Sequence, residues 1–472
     1  MTFRFDNSWA RTLPGSFLAL QPDVPAAPRL VALNTVLAAE LGLDPAVLEA
    51  EAAAWFSGAE LPAGAESIAL AYAGHQFGGF SPVLGDGRAH LLGEFLDAGG
   101  RRWDLQLKGS GRTPFSRGGD GKAVLGPMLR EYLVSEAMAA LGLATTRALA
   151  VTATGETVLR DGRRQPGAVL ARVAASHIRV GSFQFHAARG EQDRVRALAD
   201  YAMARHDPAL AAGDYLGFFD AVIGRQARLI AQWMGVGFIH GVMNTDNMAI
   251  SGETIDYGPC AFMEGYAPGT VFSSIDHQGR YAYANQPLIL AWNLARLAEA
   301  LLPLFAAEEA AAVAAANLRL AGIAGIYRAE WLAVMRRKLG LSGEEDGDGA
   351  LADDLLAAMA GADWTLTFHR LSEASSGDLS RLQPLFADFT AMAAWLPRWR
   401  ARGPDPVAMR RENPAVIPRN HRVEAALEAA NSGDMAPFEA LLAAVRAPFV
   451  AAPDFMLPAP TGFGRYVTYC GT

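Results

Sequence analysis

The sequence predicts an α+β fold in two unequal parts, a mostly β N-terminal part and a helical C-terminal part with extra helices at its end. Three observations predict it. Residues 71–174 are divided by glycine turns into short alternating stretches. Trp103 to Lys108 is the clearest, with Leu105 and Leu107 on one face and Gln106 and Lys108 on the other. From about residue 190 the apolar period becomes helical, most strongly over 214–235. The chain has 472 residues, more than one compact core usually holds. Units are therefore expected at 1–185, 186–420 and 421–472, the last a helix and a mobile tail.

In chain order, Leu30 to Leu43 has helical apolar spacing and reaches its end at Gly42. Gly85-Asp86-Gly87-Arg88 is a tight turn leading into a strand from Ala89 to Phe95, and Asp97 to Gly100 is the next turn. Residues 108–122 form a cationic, glycine-rich loop without Walker spacing. Leu125, Leu129, Leu133 and Ala137 make one stripe of a helix over 124–141. Residues 144–174 alternate as strands. Helices are expected at 287–303, 307–339, 350–360 and 422–446, with 343–349 a solvated linker and 410–421 an irregular tether.

Composition excludes several classes. Hydrophobic residues at 51% and charged residues at 19% are an ordinary globular balance, and a net charge of −8 argues against a nucleic-acid binder. Two cysteines, Cys260 and Cys470, provide no disulfide framework. The N-terminus has no signal-like apolar core, and no uninterrupted apolar run reaches the roughly 18 residues of a membrane span. A cytoplasmic protein without a membrane partner is expected.

The chemistry concentrates in residues 240–257. Asp246 and Asn247 lie in a turn. Met248 to Ile250 reads as a strand, Ser251 to Glu253 as a hairpin tip, and Thr254-Ile255 as the return strand to Asp256. Such a hairpin brings Asn247 and Asp256 to one end, where two oxygen donors suit a hard divalent cation that keeps water and phosphate ligands. Protein kinases hold their metals this way, with a catalytic-loop Asn and a later Asp. One position departs from that pattern. The kinase base lies five residues before the Asn, and that position here is Val242, which cannot accept a proton. The nearest acid is Asp246. The glycine turn, Lys108 and the cations Arg172 and Arg179 suit phosphate, and Glu131 and Glu136 are both candidates to pair with Lys108.

Tyr72-Ala-Gly-His-Gln-Phe-Gly, Leu107-Lys-Gly-Ser-Gly-Arg-Thr-Pro-Phe-Ser-Arg, His240-Gly-Val-Met-Asn-Thr-Asp-Asn-Met and Asp256-Tyr-Gly-Pro together resemble the selenoprotein O family. Further matches lie at Asp276-His-Gln-Gly-Arg and Asn413-Pro. The resemblance implies a protein-kinase-like two-lobed fold. It also implies transfer of AMP from ATP to protein hydroxyls, with ATP flipped relative to kinases. It implies nucleotide contacts from Gly85, Gly87, Arg88, Lys108, Asp120, Gly121, Arg172, Arg179 and Asp256. Asn247 and Asp256 would hold Mg²⁺ or Mn²⁺, Asp246 would be the general base, and Glu131 would pair with Lys108. A kinase, a uridylyltransferase and a non-catalytic nucleotide binder are the alternatives. The family's tail cysteine motif is reduced here to Cys470-Gly-Thr, and Val271 to Ser274 lacks the cysteine of some bacterial members, so a Cys260–Cys470 pair stays an open expectation.

Overall fold

The structure is a computed structural model, and it describes residues 3–160 and 162–469. Its centre is an antiparallel sheet built from β1 (Phe17–Ala19), β2 (Arg29–Leu33), β3 (Ile68–Leu70), β6 (Ala89–Leu96), β7 (Arg102–Lys108), β8 (Ala123–Val124), β9 (Arg147–Arg160) and β10 (Arg163–Ala174). The strand order is β1-β3-β6-β7-β10-β9-β2, with β8 paired to β10. Two small hairpins stand apart: β4 (Gly74–Gln76) with β5 (Gly79–Ser81), and β11 (Phe238–Ile239) with β12 (Ala261–Phe262). The long pairing of β9 with β10 follows from β-branched and small residues alternating through both strands. In β7 the face carrying Leu105 and Leu107 packs on Phe95, Leu149 and Val169. The opposite face, with Gln106 and Lys108, turns toward the helical half.

Seven helices matter for the site and its support. They are α1 (Leu125–Ala140), α2 (Val180–Ala187), α3 (Tyr215–Val236), α4 (Gln286–Phe305), α5 (Glu309–Lys338), α6 (Asn420–Asn431) and α7 (Ala436–Arg446). Helix α3 starts where Asp214 accepts the Gly217 amide and stops at Gly237, whose φ of 70° needs no Cβ. Its apolar face joins α4 and α5 in the largest core. Helices α6 and α7 pack on α1 through Leu129, Leu133, Val423, Phe438 and Leu441. The C-terminal helices therefore brace the helix that carries Glu131. By length and composition, Tyr283–Phe305 and Glu309–Lys338 are long and apolar enough to cross a membrane, with 50% and 17% of the apolar window buried. A packed helical core passes the same test.

Four expectations change. The helix expected over Leu30–Leu43 is a strand followed by a short helix, Thr35–Glu40. Asn34 accepts the Leu37 amide and caps the helix there, while Arg29–Leu33 is drawn into the sheet beside β9. The single helix over 422–446 is two, broken where Gly433 adopts φ 96°. The linker 343–349 is not wholly solvated, because the Asp348 carboxylate is buried between Arg336 at 2.8 Å and Arg402 at 2.9 Å. The tail is held as far as Thr468, whose amide donates to the Phe272 carbonyl at 2.8 Å and whose carbonyl accepts from Ser274 at 2.9 Å. Cys260 is buried, while Cys470, and with it the pairing the sequence leaves open, lies outside the described residues.

Candidate active site

The hairpin expected over 248–256 does not pair with itself. Ala249 bridges Arg179 and Thr254 bridges Thr145, so the two arms attach to different neighbours. The turn between them survives, with the Gly252 amide donating to Ala249 at 3.1 Å. Asp256 is reached in a left-handed conformation, φ 64°, which a non-glycine residue adopts only where its surroundings hold it.

Those surroundings are three cations. Lys108 Nζ lies 2.7 Å from Asp256 Oδ1, Arg172 Nη1 lies 2.6 Å from the same oxygen, and Arg179 Nη2 lies 3.5 Å from Oδ2. Burial pushes the Asp256 carboxyl up, but Arg172, Lys108 and Arg179 together hold it well below the usual carboxylate range. Lys108 also pairs with Glu131, and Arg172 stands 4.0 Å from Glu131. Glu136 faces away, to Arg147 at 2.8 Å and Arg446 at 3.1 Å. Of the two candidate glutamates, only Glu131 meets the strand lysine, because α1 turns its two acids to different sides.

Two groups that complete this cluster escaped sequence reasoning. Asp86 is buried in the glycine turn, where it accepts from Gln106 Nε2 at 2.9 Å and from the Leu70 amide at 3.2 Å. Arg179 Nη1 stands 3.5 Å from its other oxygen. Gln106 in turn accepts from Arg172 at 2.5 Å. Arg179 lies over the Tyr72 ring at 4.3 Å, a cation–π contact that fixes its plane. Strand alternation had placed Gln106 beside Lys108, and that was the only signal in the sequence.

The glycine turn closes through its own amides. The Gly85 amide donates to Tyr72 at 3.2 Å and the Gly87 amide to Gly85 at 2.9 Å, so these donors already serve the turn. A Cβ on Gly85 would enter the Phe115 ring, and one on Gly87 would meet the Phe115 carbonyl at 2.7 Å. Their smallness admits the 109–122 loop. Arg88 is half-buried and its carbonyl accepts the Gly109 amide at 2.7 Å. Asp120 is not brought to the Asp256 cluster. Its carboxylate is engaged by Arg160 at 2.6 Å on the outer side of the loop, and Gly121 follows with φ 70°. The loop is closed on itself, the Gly111 amide donating to Gly121 at 3.1 Å.

Asp246 and Asn247 sit in the short turn Thr245–Asn247. Asn247 donates through Nδ2 to the Val242 carbonyl at 2.9 Å, which leaves its amide oxygen as an acceptor. The residue that replaces the kinase acid thus supplies a backbone tether for the neighbouring amide. Asp246 is buried and meets no cation directly among the described residues. Burial pushes its carboxyl up to about 6, against the pull of Arg179 and Gln76. The two donors expected for a metal are the Asp256 carboxylate and the Asn247 amide oxygen, hard ligands of the kind a divalent cation takes beside water and phosphate oxygens.

A family model described as protein adenylyltransferase SelO matches residues 2–446. The chain belongs to the SelO family. Among its relatives is a protein nucleotidyltransferase YdiU of Cereibacter sphaeroides strain KD131, 64% identical across 100% of both chains. The protein of the same name from Methylorubrum populi is 58% identical over 100% of this chain and 99% of its own. The one from Rhizobium johnstonii is 57% identical over 100% and 97%. Membership covers both the Lys108 cluster and the Asp246–Asp256 segment, so the whole site lies within the matched region.

Proposed function

We propose that this SelO-family chain is a protein adenylyltransferase that moves AMP from ATP to Ser, Thr or Tyr hydroxyls and releases pyrophosphate. The observation that carries the reading is the division of labour between two carboxylates. Asp256 is kept ionised by three cations that suit phosphate, and once phosphate draws them off it suits a metal. Asp246 has no cationic partner among the described residues and suits a proton. In this reading the strand-rich and helical parts are the two lobes of a protein-kinase-like enzyme, with the nucleotide between them and flipped.

The substrate hydroxyl attacks the α-phosphorus in line, its proton passes to Asp246, and the bond to pyrophosphate breaks. Lys108, Arg172 and Arg179 bind phosphate oxygens and neutralise the charge that develops on them. Glu131 keeps Lys108 in place. Asn247 and Asp256 would hold Mg²⁺ or Mn²⁺, which supplies Lewis-acid neutralisation of the triphosphate when bound. Gly85, Gly87, Arg88 and Gly121 shape the wall on the triphosphate side. Asp120 has the weakest support among the nucleotide contacts, because Arg160 already engages it. In this reading the reaction is cytoplasmic, one compartment where ATP is available.

Label decides it. A protein acceptor, or the enzyme itself, takes label from α-labelled ATP and none from γ-labelled ATP. Its mass rises by one AMP unit, and pyrophosphate appears. Incorporation of γ label with ADP as product would return the chain to the kinases, and preferential incorporation from UTP would make UMP the transferred group.

A further inference from the structure

The segment Tyr72-Ala-Gly-His-Gln-Phe-Gly marks the family resemblance, and beyond Tyr72 under Arg179 it lies against the Asp246 turn. In the fold it forms the β4–β5 hairpin, and that hairpin is fastened to the Asp246 turn along its length. The His75 amide donates to Thr245 Oγ1 at 2.7 Å. The Phe77 amide donates to Asn244 Oδ1 at 3.1 Å, an oxygen that also accepts from the Tyr281 hydroxyl. Phe77 is left-handed, φ 52°, a conformation that a bulky residue holds only under such constraint.

Between these fastenings lies the Asp246 carboxylate. A Cβ on Gly74 would stand 2.6 Å from Asp246 Oδ1, so only glycine leaves the space that this oxygen fills. Oδ1 is buried and meets no donor among the described residues. Oδ2 accepts from Gln76 Nε2 at 3.3 Å. One carboxylate is therefore walled by a glycine on one side and tethered by a neutral amide on the other. A lysine or arginine at 76 would pair with the carboxylate and occupy it, as the three cations do for Asp256. An amide orients it and leaves it able to accept.

We infer that the β4–β5 hairpin is the positioning element for Asp246, with Gly74 providing the room for its carboxylate and Gln76 fixing its orientation. The inference rests on the reading of Asp246 as the base. Gln76 is a positioning residue that acts through Asp246. In the reaction the acceptor O–H bond breaks, its proton goes to the Asp246 carboxylate, the new O–P bond forms and the P–O bond to pyrophosphate breaks. The hairpin sets the direction from which that proton is taken.

The test uses the full-length protein, MgATP and α-label transfer in single turnover. Gln76→Met removes the donor at similar volume, and Gln76→Glu is isosteric but sets a second carboxylate against Asp246. Both lower the transfer rate roughly tenfold or more, while the MgATP Kd and the Tm stay near wild type. Gly74→Ala also lowers the rate, but its Cβ overlaps Leu84 as well as Asp246 and lowers the Tm, so only the Gln76 variants are read for Tm. In an Asp246→Asn background, Gln76→Met costs nothing further, because its effect runs through the residue already lost. Wild-type transfer by Gln76→Met and Gln76→Glu overturns the inference. So does an equal further loss in the Asp246→Asn background, or a Tm that falls in step with the rate, which would make the role one of packing. Asp246→Asn at wild-type rate is a separate failure: it removes the base reading itself, whatever Gln76 does.

Discussion

Asp256→Ala tests the cluster as a whole. Three cations, Lys108, Arg172 and Arg179, lie against that carboxylate, and their side chains are only 7%, 3% and 2% exposed. Glu131 and Asp86 remain after the substitution, and burial pushes the Asp86 carboxyl up. Removing Asp256 strands a buried positive charge, which costs about 3 to 5 kcal/mol when a buried pair is broken. Asp256 keeps 22% of its side chain exposed, so the lower end, about 3 kcal/mol, applies. Unfolding entropy of about 2.1 cal/mol/K per residue turns this into a fall of about 3 °C in Tm for cooperative unfolding of the chain. Scanning calorimetry without nucleotide measures the fall. Isothermal calorimetry then shows the loss of metal-dependent ATP binding, and α-label transfer is abolished. A variant as stable as wild type, or more stable, would refute the reasoning, because it would mean that desolvating the cluster costs more than Asp256 returns.

Two further predictions concern stability. Burial pushes the Glu253 carboxyl up to about 7 from 4.5, although the Ala175 amide at 3.0 Å and the Ser251 hydroxyl at 3.0 Å both donate to it. The folded state therefore holds a proton that the unfolded chain has lost between those values. That stability is full below pH 4.5 and is lost as pH rises through 7, so wild type loses about 3 kcal/mol relative to Glu253→Gln across this window. Denaturant titrations at a series of pH values check it, and parallel curves for the two proteins would refute it. Gly85→Ala combines a Cβ driven into the Phe115 ring with φ 71°, and should cost about 2 to 4 kcal/mol in denaturant unfolding. Phe115→Ala should recover the steric share in the double variant.

Sequence alone determined the order of the parts. Alternation in Trp103 to Lys108 put Gln106 and Lys108 on one face, and the stripe through Leu125, Leu129 and Leu133 made a helix, because periods of two and 3.6 residues are local properties of the chain. The motif around Asp246, Asn247 and Asp256, with valine at 242, marked where a metal-nucleotide site was to be sought. Tertiary structure decided what those residues touch. Glu131 and Glu136 read alike in sequence, and only the seat of α1 on the sheet sends one to Lys108 and the other to Arg147. Met248 to Asp256 looks like a self-paired hairpin, but its arms find better-placed partners in Arg179 and Thr145. Leu30 to Leu33 has helical spacing and becomes a strand because β9 offers an edge. Asp86 and Gln76 stand in a glycine turn and in a family motif, but nothing local assigns either a partner. Their roles depend on contacts with Arg179 and Asp246 far along the chain. Periodicity reports which face of an element is apolar, whereas the partner of a buried polar group is set by whichever chain segment folding brings opposite it.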